Sequence, residues 1–323
     1  MFSIVVPTYS RRQLLEQALE SVLLDTGEDY EVCVCDDGSI DDTKEYLSAL
    51  AERLTQRSYA SSAFERFRFV SIANAGEAQA RNAAAALARG EWLLFLDDDD
   101  TLAPGAIEVL RGVVADNPEA CVIKTTFRSL RDGEGERSGR GESRADSARS
   151  EAARVERFTD LLESLSTPGG FTGIGGTLIR RHCVLPHPSG ESRLNCADVL
   201  MQLRHSSVGP ALRISSPPLW CVREHAGRVS IDPQRVLEGA ASLLDAERNG
   251  QFPGGPARSR DRARVLANQV RHAVRVQLRH KRVVSAISLA IKLAPVAWRA
   301  RQFGFALEFP LKLLRSPFRR VSR

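Results

Sequence analysis

Residues 91–100, EWLLFLDDDD, place a short apolar run directly before four consecutive aspartates. An apolar run of this length, closed by polar residues, predicts a buried strand of a parallel sheet. Four adjacent carboxylates repel one another and are costly to hold in a folded site unless something positive belongs among them. The alternative is a solvated acidic turn.

Working outward, FSIVVPT (2–8), YEVCVCDD (30–37) and FRFVSIAN (67–74) have the same character, and ACVIKTT (120–126) adds a further strand. Helical patterns separate them. Leu14, Leu15, Ala18, Leu19, Val22 and Leu23 follow helical spacing. EAQARNAAAALARG (77–90) is a strong helix former with a stop expected at Gly90, and APGAIEVLRGVV (103–114) places Pro104 in a first turn. The order βαβαβαβ, then helix and strand, predicts an open, doubly wound α/β sheet. Ligands of such sheets lie beyond the carboxyl ends of the strands. Those ends carry Thr8 and Tyr9, Asp36 and Asp37, Asn74, and Asp97 to Asp100. Four strand ends converging on polar and acidic residues favour a site over four unrelated turns. In an extended segment alternate side chains share a face, so Asp97 and Asp99 point one way and Asp98 and Asp100 the other. A D-x-D pair of this kind can hold one hard divalent cation and leave positions for phosphate oxygens and water.

The 323-residue chain carries a formal net charge of +5, unevenly distributed. Residues 256–323 hold 17 Lys or Arg against 2 acids, so the preceding part is acidic. The start, MFSIVVPTYS, has no basic flank, long apolar core or small-residue cleavage site and reads as a first strand, not a signal peptide. Six cysteines (Cys33, Cys35, Cys121, Cys183, Cys196 and Cys221) lack CxxC spacing, which favours free thiols in a reducing cytoplasm over disulfides or zinc. Residues 129–155, rich in Gly, Ser, Arg and Glu, read as a flexible insertion. Beyond them, RFTDLLESLS (157–166) is helical in pattern and GGFTGIGGTLIRR (169–181) is glycine-rich.

In its motifs the chain resembles a family 2 glycosyltransferase of the GT-A fold, a Rossmann-like, mostly parallel open sheet flanked by helices. The residues that carry the resemblance are SIVVPTYSR (3–11), DDGSIDDT (36–43), NAGEAQARN (74–82), RGEWLLFLDDDD (89–100) with LAPGAIE after it, and NCADVLMQLRHS (195–206) followed by REHAGRVS (223–230). The resemblance implies that Pro7, Thr8 and Tyr9 line a base pocket with Asp36 and Asp37, Asp37 reading the base. Asn74, Gly76, Arg81 and Asn82 lie near base and diphosphate, with a surface helix arginine as the alternative for Arg81. Asp97 faces ribose and sugar with Asp98 beside it, Asp99 binds the metal (Mn or Mg), and Asp97 and Asp100 support it. Asp198 is the general base, with Ala197 where the family carries glutamate. Asp198 equally suits a helix N-cap. Arg223 and His225 match a segment near the diphosphate, a packed surface histidine being the alternative for His225, and Gly173, Gly175 and Gly176 suit a tight loop beside the sugar or a purely structural turn.

The implied organisation is a catalytic domain over 1–232, with a nucleotide-sugar half (1–128), the 129–155 insertion and an acceptor half (156–232). A basic helical region (233–323) follows as a C-terminal amphipathic extension. There, basic residues 264, 271, 275, 279 and 282 form one helical stripe and Leu266, Val270, Val274 and Leu278 another. The next segment, VVSAISLAIKLAPVAW (283–298), is too short and interrupted for a transmembrane span and suits a helix on an anionic membrane surface. Packing on the protein or a second subunit is the alternative. No nucleic-acid motif accompanies the arginines.

The expected activity is inverting, metal-dependent transfer from a nucleotide-sugar donor, a UDP-sugar favoured, to a hydroxyl of a glycan or lipid-linked acceptor in surface-glycan synthesis. The expected location is cytoplasmic, peripheral at the inner face of the plasma membrane. A nucleotidyltransferase would carry a glycine-rich basic loop after its first strand, and PTYSRRQLLEQ has no glycine. A degenerate, non-catalytic member has Ala197 as its only support.

Overall fold

The structure, a computed structural model, describes residues 1–23, 29–58, 66–131, 152–188, 196–224 and 232–299. Its contacts divide the chain into two units: Met1–Asp160 with Ile174–Arg193 and Val208–Ala226, and Leu161–Gly173 with Leu194–Ser207 and Gly227–Arg323.

The first unit runs β1 (Phe2–Thr8), α1 (Arg12–Leu23), β2 (Tyr30–Asp36), α2 (Thr43–Ser58), β3 (Phe67–Ser71), α3 (Glu77–Ala86), β4 (Trp92–Phe95), β5 (Thr101–Leu102), α4 (Ala106–Asp116), β6 (Val122–Thr125), β7 (Phe127–Arg131), β8 (Arg154–Phe158), β9 (Thr177–Arg180), β10 (Ala211–Ser216) and β11 (Trp220–Glu224). Among the described residues the main sheet has the order β3-β2-β1-β4-β9-β6-β10-β8. Strands β3, β2, β1 and β4 are mutually parallel; β9 is antiparallel to both β4 and β6. Every residue of β1 and β2 is buried, as strands covered on both faces require. The register sets Thr8 opposite Asp36 and Asp36 opposite Ser71, so the carboxyl ends of β1, β2 and β3 lie side by side. A second, three-stranded sheet has the order β5-β11-β7.

Several local expectations shift. Helix α3 ends at Ala86, and Gly90 is not its stop. A side chain there would strike Ser3, since an added Cβ would lie 2.8 Å from the Ser3 amide nitrogen. Pro104 precedes the α4 cap, Gly105, whose φ of 77° requires glycine. The start of RFTDLLESLS belongs to β8, and the helix begins at Leu161. The 129–155 segment opens in β7 and closes in β8; residues 132–151 lie outside the described residues.

At the amino end of the parallel strands, buried Glu31 gathers the close approach around Gly90. Its Oε1 accepts from the Ser3 hydroxyl at 2.5 Å, the Arg89 amide at 2.6 Å and the Gly90 amide at 3.1 Å, while Arg68 pairs with Oε2. Burial pushes this carboxyl up, but the donors outweigh burial and hold it below the usual glutamate range. Such a group adds stability above its unfolded pKa that is lost as pH falls through the folded value. Glu31→Gln is therefore expected to cost about 2–3 kcal/mol at pH 7. In thermal unfolding followed by circular dichroism, the gap to the unsubstituted protein should close as pH drops below about 4.3, the ordinary glutamate value.

The second unit contains α5 (Leu161–Ser166), α6 (Ala197–Arg204), α7 (Pro233–Arg248), α8 (Ser259–Arg279) and α9 (Val283–Arg299). Asp232 caps α7, accepting from the Gln234 amide at 2.8 Å. Helix α8 packs against α5, α7 and α9. It joins α7 through a buried ion pair, Arg262 Nε to Glu247 Oε2 at 2.7 Å. Leu266, Val270 and Val274 of the expected apolar stripe are buried in this packing. That stripe is spent on the protein's own core.

Candidate donor site

The loops that leave the carboxyl ends of β1, β2, β3 and β4 are tied to one another by side chains from the quoted motifs. After β2, Asp36 Oδ1 accepts the Ser39 amide at 2.9 Å. The two oxygens of Asp37 accept the amides of Ala75 and Gly76, each at 2.8 Å. Gly76 has φ 91°, and this left-handed bend turns consecutive amides toward one carboxylate. Asn74 donates its side-chain amide to the Asp37 carbonyl at 3.0 Å. Gly38 fits only because it lacks a Cβ, which would lie 2.9 Å from the Asn74 nitrogen. Asp37 thus holds the β3–α3 loop, and only its remaining lone pairs are left for a base. Pro7 is buried within β1, while Tyr9 is 43% exposed just beyond it.

The aspartates after β4 do not continue as an extended strand. The chain turns, with the Asp100 amide donating to the Asp97 carbonyl at 3.1 Å. The turn replaces the expected alternation: Asp97, Asp99 and Asp100 converge, with one carboxylate oxygen from each lying within 4.8 Å of the others. Asp98 alone is set apart. Its carboxylate accepts from the Thr8 hydroxyl at 2.8 Å and from Arg11 Nη1 at 3.0 Å, and the same Arg11 nitrogen reaches Asp99 at 3.1 Å. Burial pushes the Asp98 carboxyl up to about 6; Arg11 opposes the shift, Asp99 adds to it, and the Thr8 hydroxyl opposes it.

Arg81 is buried, unlike a surface helix arginine, and its Nη2 donates to Asp97 at 3.2 Å and to Glu77. Arg11 and Arg81 supply two positive charges against the four aspartates. Asp100 is braced by the Arg223 amide at 3.2 Å, while the Arg223 guanidinium pairs with Gln17. Asn82 brackets the His187 backbone, accepting its amide at 2.9 Å and donating to its carbonyl at 2.8 Å. Asn82 therefore serves to fasten α3 to the segment after β9. Gly175 and Gly176, expected beside the sugar, make room for Trp220; a Cβ on Gly175 would lie 2.5 Å from its ring. Gly173 belongs to the second unit.

Asp198 is also in the second unit, half-buried in the first turn of α6. The N-cap is Cys196, so the capping role does not fall to Asp198, and Ala197 beside it is buried. His225 lies outside the described residues. Arg11 is the site residue that the sequence reading left unassigned. Its signal was present: a run of carboxylates needs a counter-charge, and Arg11 closes the SIVVPTYSR stretch.

A mostly parallel α/β sheet whose strand ends gather an aspartate cluster is the arrangement expected of a protein of the GT-A class. A family model for glycosyl transferase family 2 matches residues 3–175. The chain belongs to that family. It is 36% identical over 130 residues to the chondroitin synthase of Escherichia coli, which is 40% of this chain and 18% of that enzyme. The curated relatives it matches are covered over only 13% to 36% of their own lengths. Among solved structures, S. aureus TarS 1–349 in complex with UDP-GlcNAc superposes with a TM-score of 0.53 at 17% identity, covering 93% of this chain and 91% of that one. The mannosyltransferase PcManGT from Pyrobaculum calidifontis, in complex with GDP-Man and Mn2+, gives 0.54 at 16% identity, covering 98% of this chain and 87% of that one. These two likenesses establish the fold.

Proposed function

We propose that the protein transfers a sugar from a nucleotide-sugar donor, a UDP-sugar first among them, to a hydroxyl of a glycan or lipid-linked acceptor, with inversion at the anomeric carbon. The observation that carries this reading is the convergence of Asp97, Asp99 and Asp100 at the carboxyl ends of the parallel strands, within the stretch matched by the family. Three carboxylates with oxygens this close are hard donors suited to Mn2+ or Mg2+. Asp99 would hold the ion with Asp97 and Asp100 in support, and when bound it supplies a Lewis acid for the departing diphosphate.

The chain's own residues would do the rest. Thr8 and Arg11 hold Asp98, with Arg11 bridging it to Asp99, and Arg81 orients Asp97. Pro7, Tyr9, Asp36, Asp37, Asn74 and Gly76 would form the base side of the pocket. Arg223 and His225 would lie toward the diphosphate. Asp198 would take the proton from the acceptor hydroxyl as its oxygen bonds to the anomeric carbon and the bond to the diphosphate oxygen breaks. Both UDP-GlcNAc and GDP-Man occupy neighbours of this fold, so the base must be read by experiment.

The test is thermal unfolding against UDP, GDP, CDP and dTDP, each with and without manganese. A ligand at a hundred times its dissociation constant adds about 2.7 kcal/mol, a shift of a few degrees for a protein of this size. One nucleotide should give that shift, and only with metal. No shift from any of the four would overturn the donor assignment.

A further inference from the structure

Helix α9 (Val283–Arg299) has two apolar faces. Ala286, Leu289, Ala290, Leu293 and Val296 are buried on one, the side that packs on α8. On the other, Val284 is 83% exposed, Ile287 39%, Ile291 67% and Trp298 72%. Their spacing of three, four and seven residues draws one line along the helix, on the side opposite the buried set. The other exposed large hydrophobic side chains among the described residues, Met1, Tyr9, Ile40, Phe171 and Leu185, are scattered singly, whereas these four fall on one helix face.

We propose that this stripe of α9 lies in the surface of an anionic phospholipid bilayer. The charge pattern selects this partner. Residues 265–298 hold six Lys or Arg and no acid, so no carboxylate of that stretch opposes an anionic surface; Arg262 and Arg299, on either side of it, are paired with Glu247. Lys292 follows Ile291 by one position and therefore flanks the stripe on one side, where its long side chain can bury its stem and reach a headgroup. Trp298 ends the line with the amphipathic ring favoured at such interfaces. No helix among the described residues is long and apolar enough to cross a membrane, so the contact is a helix lying in the interface. The proposal rests on this helical face alone and stands apart from the transfer reaction.

Trp298 makes the test local, because the protein's other tryptophans, Trp92 and Trp220, are buried. The full chain is mixed with vesicles of phosphatidylcholine alone or of phosphatidylcholine with phosphatidylglycerol, and both sedimentation and tryptophan emission are read. Binding to the phosphatidylglycerol vesicles, with a blue shift that Trp298→Phe abolishes, is expected. Ile287→Glu combined with Ile291→Glu should lower partitioning at least about tenfold while leaving the unfolding midpoint in place. Absence of binding to the anionic vesicles, or binding indifferent to the double substitution, would overturn the proposal. So would a dimer, seen by light scattering, that the double substitution dissociates while no protein sediments with lipid, for then a second copy is the occupant.

Discussion

Asp99→Ala abolishes the manganese-dependent stabilisation by nucleotide. In the cluster Asp99 shares close oxygens with Asp97 and Asp100, and removing it leaves two carboxylates where three converged. Outer partners of a metal ligand are commonly worth 10–100-fold in affinity, so loss of a ligand should weaken the metal by about a hundredfold or more. At fixed manganese that is enough to erase a shift of a few degrees. The apo protein should respond in the opposite sense. Asp99 pushes the buried Asp98 carboxyl up, and Arg11 keeps its bond to Asp98 when Asp99 is gone. Relief of this repulsion should hold the apo unfolding midpoint or raise it, as expected where a site stores repulsion for function. The pair of readouts separates loss of binding from loss of folding. A variant that retains the full nucleotide shift would show that the cluster is not the metal site.

The strands expected from the sequence, β1 to β4 and β6, were legible because each is a short, largely apolar run with a polar end; β5 and β7 to β11 lack that signature and were not foreseen. β1 is the clearest case, predicted and found over residues 2–8. The site was legible as a list and less so as geometry. Asp97 to Asp100 were expected to alternate as in a strand, but β4 ends at Phe95 and the turn regroups them. Nothing in DDDD itself tells a strand from a turn. Arg11 escaped assignment because its partners are some ninety positions away, and only the β1–β4 pairing brings them near. The tie made by Asn82 was hidden for the same reason, since its partner, the His187 backbone, follows β9, an antiparallel strand inserted between β4 and β6.

The C-terminal helices show the same limit. Periodicity identified the apolar stripe of α8 correctly, yet a stripe says only that a face will be covered, not by what. In the structure α5, α7 and α9 pack on α8, and the exposed line falls one helix later, in a segment whose apolar residues surround it on both sides. A helix apolar on two faces reads from sequence as a poorly defined one. Only the packing reveals that one face is already taken.

Asp198→Asn should lower kcat by about 10²- to 10⁴-fold, the usual worth of a positioned general base, and leave the nucleotide shift and the donor KM unchanged. The asparagine keeps the shape of the side chain and removes its ability to take a proton at neutral pH. Asp198 also sits in the first turn of α6, where a carboxylate favours the helix by roughly 0.3–1 kcal/mol through the amino-terminal dipole. The two roles give different signatures in the same variant. A base lost alone cuts turnover by orders of magnitude at nearly constant midpoint. A purely helical role lowers the midpoint by up to about two degrees with turnover intact, and that result would remove Asp198 from the chemistry. Ala197 sharpens the comparison. Its side chain is buried, so this first turn has no second acid beside Asp198 to take over the proton. A residual rate in Asp198→Asn would then reflect positioning of donor and acceptor and not a neighbouring base, and Asp198→Ala should show the same residual rate.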